Sequence, residues 1–146
     1  MTSTPPTPEM LRARVEARPV FFWDTLGIEV VSVDEPGHAI LRLVMRPPLG
    51  TRRAEVLHGG AIATLIDAAA GAAVIASVGE DVDYVGQATL DINVSYLNAI
   101  TDEAIAEARI LRSSRTIGFT QVEVRDPKGR LAAIGRVTYS IIRKAQ

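Results

Sequence analysis

Residues 59–78 read GGAIATLIDAAAGAAVIASV, a run of alanine, glycine and aliphatic side chains with one charge, Asp67, near its middle. At helical spacing the neighbours of Asp67 are Ala63, Thr64, Ala70 and Gly71, so no cation on the same segment can pair with it. An unpaired carboxylate in apolar surroundings is costly, and aspartate is a poor helix former. Either Asp67 faces solvent or caps a structural feature, or it is a carboxylate held in a cleft for general-base or nucleophilic work. Just ahead stand His58, Gly59 and Gly60. Unpaired N–H groups and the positive end of the helix dipole at such a start can hold a negative oxygen, as an oxyanion hole does. The plainer alternative is a glycine-rich helix start whose turn is oriented by His58. Gly59 and Asp67 are eight positions apart, roughly 12 Å along a helix axis, too far for one substrate carbonyl to touch both in one chain. Two antiparallel helices across a dimer interface would bring the Gly59 end of one opposite Asp67 of the other and form two equivalent sites.

The elements that must position these residues follow from periodicity and punctuation. Thr7 caps a short helix with Pro8 at its first position, running through EMLRARVEA until Pro19. The next stretch, VFFWDTLG, gathers three of the seven aromatics and is expected to pack across an edge of the core. IEVVSVDE and HAILRLVMR read as a hairpin turning at Pro36 and Gly37. The loop PPLGTRRAEVL leads to the helix over 59–78, after which come four strand-like runs: ATLDINVSYL, EAIAEARILRS, TIGFTQVEVRD and LAAIGRVTYSII. In the first of these, alternation assigns Leu90, Ile92, Val94 and Tyr96 to one face and Asp91, Asn93 and Ser95 to the other. DPKGR turns the chain between the last two.

Consecutive strands with short turns and one long helix predict an α+β fold: a curled antiparallel sheet of about six strands around a central helix, with a short N-terminal helix. A helix apolar on all sides needs cover on all sides, and one sheet face cannot enclose it. A second copy of the chain is expected to cover the remainder, giving a homodimer, with a dimer of dimers left open.

With 146 residues, 47% of them hydrophobic, the chain is expected to be a single domain over 8–146 behind a disordered tail over 1–7. Sixteen basic against seventeen acidic residues leave no excess of positive charge for a nucleic-acid backbone. There is no cysteine, and only His38 and His58 are available as imidazole ligands. A metal site would have to be mostly carboxylate; no metal and no cofactor are expected. The opening MTSTPPTPEM lacks the basic start and apolar core of a secretory signal, which points to the cytoplasm. The segment 59–78 is long enough to span a bilayer at about 20 residues, but a central aspartate is costly there, so a buried helix of a soluble domain, with no membrane partner, is expected.

His58-Gly59-Gly60, followed by Leu65, Asp67 and Ala69, resembles the hotdog-fold acyl-CoA thioesterases of the phenylacetate-degradation type. TLDINVSYLNAI is similar to that family's strand after the helix, and the run from Ala108 to Ile141 is similar to its closing strands. The resemblance spans about residues 24–142. It implies hydrolysis of an acyl-CoA thioester, with Asp67 activating water or attacking the carbonyl, the Gly59 amide polarising that carbonyl, and His58 shaping the loop. Thr89 falls where relatives carry a hydroxyl that helps place the water. Relatives commonly have asparagine six residues before the histidine, where this chain has Arg52. An arginine there is suited to a carboxylate on the acyl group or a phosphate of CoA, or simply faces solvent. Arg112, Ser113, Ser114 and Arg115 match the family's CoA-binding cluster, or form a polar turn. Leu57, Gly60, Ile62 and Leu65 are placed beside the substrate. Two rival readings are a non-catalytic acyl-CoA-binding hotdog domain and a hotdog hydratase. The hydratase usually carries its Asp/His pair on the active-site loop and helix start, whereas here the carboxylate lies nine positions after His58.

Overall fold

The computed structural model describes residues 3–146; Met1 and Thr2, part of the expected tail, lie outside them. Helix α1 spans Pro8–Glu16, with the Thr7 hydroxyl accepting from the Met10 N–H and proline in its first turn. Helix α2 is Phe21–Leu26, closed by Gly27 at φ 83°. Strands β1 (Glu29–Ser32) and β2 (His38–Val44) form the expected hairpin, β1 being shorter than its apolar run. A 3-10 turn over Pro47–Leu49 precedes helix α3, Gly59–Val78. Strands β3 (Tyr84–Tyr96), β4 (Glu103–Ser113), β5 (Ile117–Arg125) and β6 (Leu131–Arg143) complete a six-stranded sheet in the order β1-β2-β4-β5-β6-β3, antiparallel throughout.

The sheet curls around α3. Ala39, Leu41 and Leu43 of β2 lie opposite Ala108, Ala106 and Ala104 of β4, and all six are buried. Small side chains on helix and sheet let the two backbones approach. Gly135 of β6 shows how closely, since a Cβ there would overlap Ile66 Cγ2. Ile66 is fully buried and β-branched, so it has no room to yield. Gly135→Ala is expected to destabilise the fold by about 1–3 kcal/mol through overpacking, read as a lower urea midpoint.

The helix is covered differently from expectation along its length. From Ala68 to Ala76 every residue is buried, chiefly against the sheet, with α1 of the same chain, whose Leu11 and Val15 are buried, adding to that cover. The Arg14 guanidinium donates to the Ala76 carbonyl at 2.9 Å, satisfying an acceptor of the last turn. A second copy is therefore not needed there. The open stripe is confined to the first half, along Gly60, Ala63, Thr64 and Asp67. By length and composition α3 could cross a membrane, but 78% of its most apolar window is buried within the chain, which makes it a core helix.

Two local expectations are corrected. The aromatic segment turns only Trp23 and Leu26 onto the core, because a two-turn helix presents one narrow face; Phe21 and Phe22 remain exposed at 83% and 56%. On β3, Thr89 pairs with Tyr139 and Ile92 with Val137, so three steps on β3 match two on β6. This bulge takes Leu90 out of the alternating series and turns Thr89, instead of Leu90, onto the helix-facing side. Ile92, Val94 and Tyr96 keep the expected common face.

Candidate active site

Asp67 is half-buried on α3, and its carboxylate is held from the sheet side. The Thr89 hydroxyl donates to Oδ1 at 2.8 Å, and the Tyr139 phenol lies 2.8 Å from both Oδ1 and the Asp67 carbonyl oxygen. Among the described residues no hydrogen bond reaches Oδ2 and no cation pairs with Asp67. Sequence alternation did not single out Tyr139. The available signal was a tyrosine on the buried face of the last strand, since a buried phenol must find an acceptor. Gly71, one turn after Asp67, makes room for it: a Cβ there would lie 2.8 Å from the Tyr139 hydroxyl. Gln87 closes the far side, donating from Nε2 to the Gly71 carbonyl at 3.0 Å and accepting from the Tyr84 hydroxyl at 3.2 Å.

Burial, reinforced by the neighbouring Asp67 charge, pushes the Tyr139 phenol well above its ordinary 10.0, so it stays a proton donor. An acid whose folded-state value is raised contributes stability that is complete below its unfolded value and lost as pH rises beyond it. Stability is therefore expected to fall with pH above about 10, and Tyr139→Phe should shallow that fall in urea midpoints measured across alkaline pH. Part of the slope will persist in the variant, because burial also raises Tyr84.

The other half of the arrangement is the start of α3. The His58 imidazole Nδ1 accepts from the Gly60 N–H at 2.8 Å, making His58 the N-cap. Backbone bonds from Leu57 N–H to the Ile100 carbonyl and from His58 N–H to the Leu49 carbonyl, at 2.9 and 2.8 Å, pin the approach to the helix. With Gly60 committed to His58, the Gly59 N–H has no protein acceptor among the described residues. The Tyr96 hydroxyl donates to the Gly59 carbonyl at 2.7 Å. Gly59, Leu57, Ile62, Tyr96, Leu97, Asn98 and Ala99 line a hollow of about 340 Å³. Strand β3 thus touches both half-sites, at Asp67 through Thr89 and at Gly59 through Tyr96. Leu65 does not line this hollow: it is fully buried, on the opposite side of the helix from Asp67 and toward the core.

The remaining expected binding residues divide. Arg52 is exposed in the loop before α3 and makes no ion pair among the described residues. Arg112 and Ser113 are exposed at the end of β4. Ser114 and Arg115 are structurally engaged: the Ser114 hydroxyl accepts from the N–H groups of Thr116 and Ile117, and Arg115 pairs with Asp83. Arg143 joins that cluster, four positions along β6 from Tyr139, roughly 13 Å at strand rise. A separate hollow of about 620 Å³ between α1, α2 and β1 contains Arg12, Arg42 and Trp23 but neither half-site. Its lining charges largely pair with each other, as in Arg12 with Glu16 and Arg42 with Glu29. His38 is buried on the outer side of β2, 3.6 Å from Glu107, away from Asp67.

This fold has counterparts among known proteins. Residues 54–133 match the model of the thioesterase superfamily. A candidate esterase of Halobacterium salinarum is 36% identical over 127 residues, covering 81% of this chain and 82% of its own. A conserved protein of Pseudomonas aeruginosa of known structure superposes with a TM-score of 0.78 at 31% identity, covering 87% of this chain and 98% of that one. The PaaI protein of the Escherichia coli phenylacetic acid degradation operon shares the fold, with a TM-score of 0.76 at 19% identity over 89% of this chain and 90% of its own. The curled sheet wrapped on α3 is a hotdog fold, and the chain belongs to the thioesterase superfamily, hydrolases of thioesters.

Proposed function

We propose that the protein hydrolyses an acyl-CoA thioester to the free acid and CoA, at two equivalent sites of a cytoplasmic homodimer. The observation that carries this reading is the state of Asp67: a half-buried carboxylate gripped at Oδ1 by two hydroxyls, with no cation beside it and no hydrogen bond at Oδ2 among the described residues. The free oxygen either takes a proton from a water that attacks the thioester carbonyl or attacks that carbonyl itself. In both routes the carbonyl π electrons move onto oxygen, where the Gly59 N–H of the partner chain stabilises the charge. The carbonyl then re-forms as the C–S bond breaks, and the thiolate of CoA leaves and takes up a proton. By the nucleophilic route water subsequently cleaves the acyl–Asp67 anhydride.

The dimer is supported by the separation of Gly59 from Asp67 along one helix and by the unpaired edge of β3, which exposes Leu90, Ile92, Tyr96 and Leu97 at 58%, 40%, 52% and 51%. Apolar groups on an open sheet edge favour pairing with another copy. Arg52 and Arg112, both uncommitted by internal ion pairs among the described residues, are the cations available to CoA phosphates. The test is a panel of short, long and aromatic acyl-CoA thioesters with free thiol followed over time. At least one is expected to turn over. If none does while CoA still raises the melting temperature, the protein is a non-catalytic CoA-binding hotdog domain instead.

A further inference from the structure

We propose that Tyr139 is a positioning residue for Asp67: its phenol, together with Thr89, anchors Oδ1 so that Oδ2 is the oxygen presented for reaction, and Gly71 is the slot that admits the phenol. This role deepens the hydrolytic reading of Asp67 above and rests on it. A carboxylate can exchange its two oxygens by rotation, and donors on one oxygen suppress that exchange. Thr89 sits on β3, the edge strand, and is exposed; Tyr139 sits on β6, between β5 and β3, and is 5% exposed. The tyrosine is therefore the rigid member of the pair. Its hydroxyl has both acceptors on the same residue, Oδ1 and the carbonyl oxygen of Asp67, each at 2.8 Å.

The slot is a specific expense of the fold. Gly71 lies among Ala68, Ala69, Ala70, Ala72 and Ala73, and glycine within a helix is less favourable than alanine. Alanine at 71 would bring its Cβ to 2.8 Å from the phenol oxygen and 3.2 Å from Gln87 Nε2, so the phenol would have to move off Asp67. Sequence position hides the relation, because Asp67 and Tyr139 are 72 residues apart.

The test uses Tyr139→Phe, Gly71→Ala and the double variant, with Asp67→Asn as reference. The ¹³C carboxyl signal of Asp67, assigned by its loss in Asp67→Asn, is titrated in each protein, and kcat and KM are measured on the thioester that turns over best. A carboxylate with one donor fewer binds its proton more tightly. The titration is expected to move to higher pH in both single variants, with the acid limb of kcat moving alongside it. We expect kcat to fall about 10- to 100-fold with KM little changed, as for loss of an orienting partner. The double variant should be no worse than either single one, because both remove the same contact. Gly71→Ala keeps the phenol and improves helix propensity, so it carries the test if Tyr139→Phe does not fold. An Asp67 titration and kcat unmoved in the folded variants, with Asp67→Asn inactive, overturn the positioning role alone. A titration that moves while Asp67→Asn still turns over overturns the catalytic assignment of Asp67 and with it the proposal.

Discussion

Asp67→Asn is expected to lower thioester turnover by about 10²- to 10⁴-fold, the range for loss of a positioned proton acceptor, while leaving the fold intact. Asparagine has the same shape, and its amide oxygen can still accept from Thr89 and Tyr139, the two donors that hold Oδ1. The group that changes is Oδ2, which no protein donor contacts among the described residues: an acceptor becomes an amide N–H₂ that can neither take a proton from water nor attack a carbonyl. Removal of a half-buried charge that has no cationic partner among the described residues relieves a desolvation cost, so the urea midpoint should be unchanged or higher. Undiminished turnover in a folded Asp67→Asn protein would sink the assigned role. A loss of turnover accompanied by a lower midpoint would instead place Asp67 among the supports of the fold.

Gly59→Pro should produce the second large loss, about 10²- to 10³-fold in kcat, the usual effect of deleting one oxyanion donor. Proline is a severe substitution in most helices, but here the local geometry accepts it. Gly59 is the first residue of α3, where proline is favoured. His58, at φ −63° and ψ 136°, already has the extended conformation required before proline. The N–H that disappears has no acceptor among the described residues. Any side chain at 59 meets the Tyr96 ring at 3.3 Å from Cβ, a ring half-exposed and able to shift. Gly59→Ala makes the same contact and keeps the N–H. The ratio of kcat between the alanine and proline variants therefore isolates the hydrogen bond from the crowding. Equal rates in the two would remove Gly59 from the oxyanion role. Unchanged helicity in both, by circular dichroism, completes the comparison.

Both experiments act on residues legible in the bare sequence. The carboxylate stood out because it was the one charge in a twenty-residue, largely apolar run, and the helix start because His58 leads into two glycines. Helical and strand periods are properties of short stretches, so α1, the hairpin, α3 and the four later strands could all be read locally. The motif of His58, Gly59, Leu65, Asp67 and Ala69 resembled that of the hotdog thioesterases, and the match over residues 54–133 shows the superfamily.

What alternation could not reveal was register. The face of Thr89 depends on a bulge, and a bulge is a mismatch between β3 and β6, not a feature of either alone. Arg115, matched by resemblance to the family's CoA-binding cluster, pairs with Asp83, and Ser114 serves its own turn, because side chains near one another in space compete for the same charges and donors. The cover of α3 by α1 follows from where the first helix docks, which its own composition does not encode. By itself the sequence singled out one carboxylate, Asp67, and one amide, that of Gly59, as candidates for the chemistry. Only the tertiary structure decided which oxygen of that carboxylate is free, because the hydroxyls that occupy the other come from two strands brought together by the curl of the sheet.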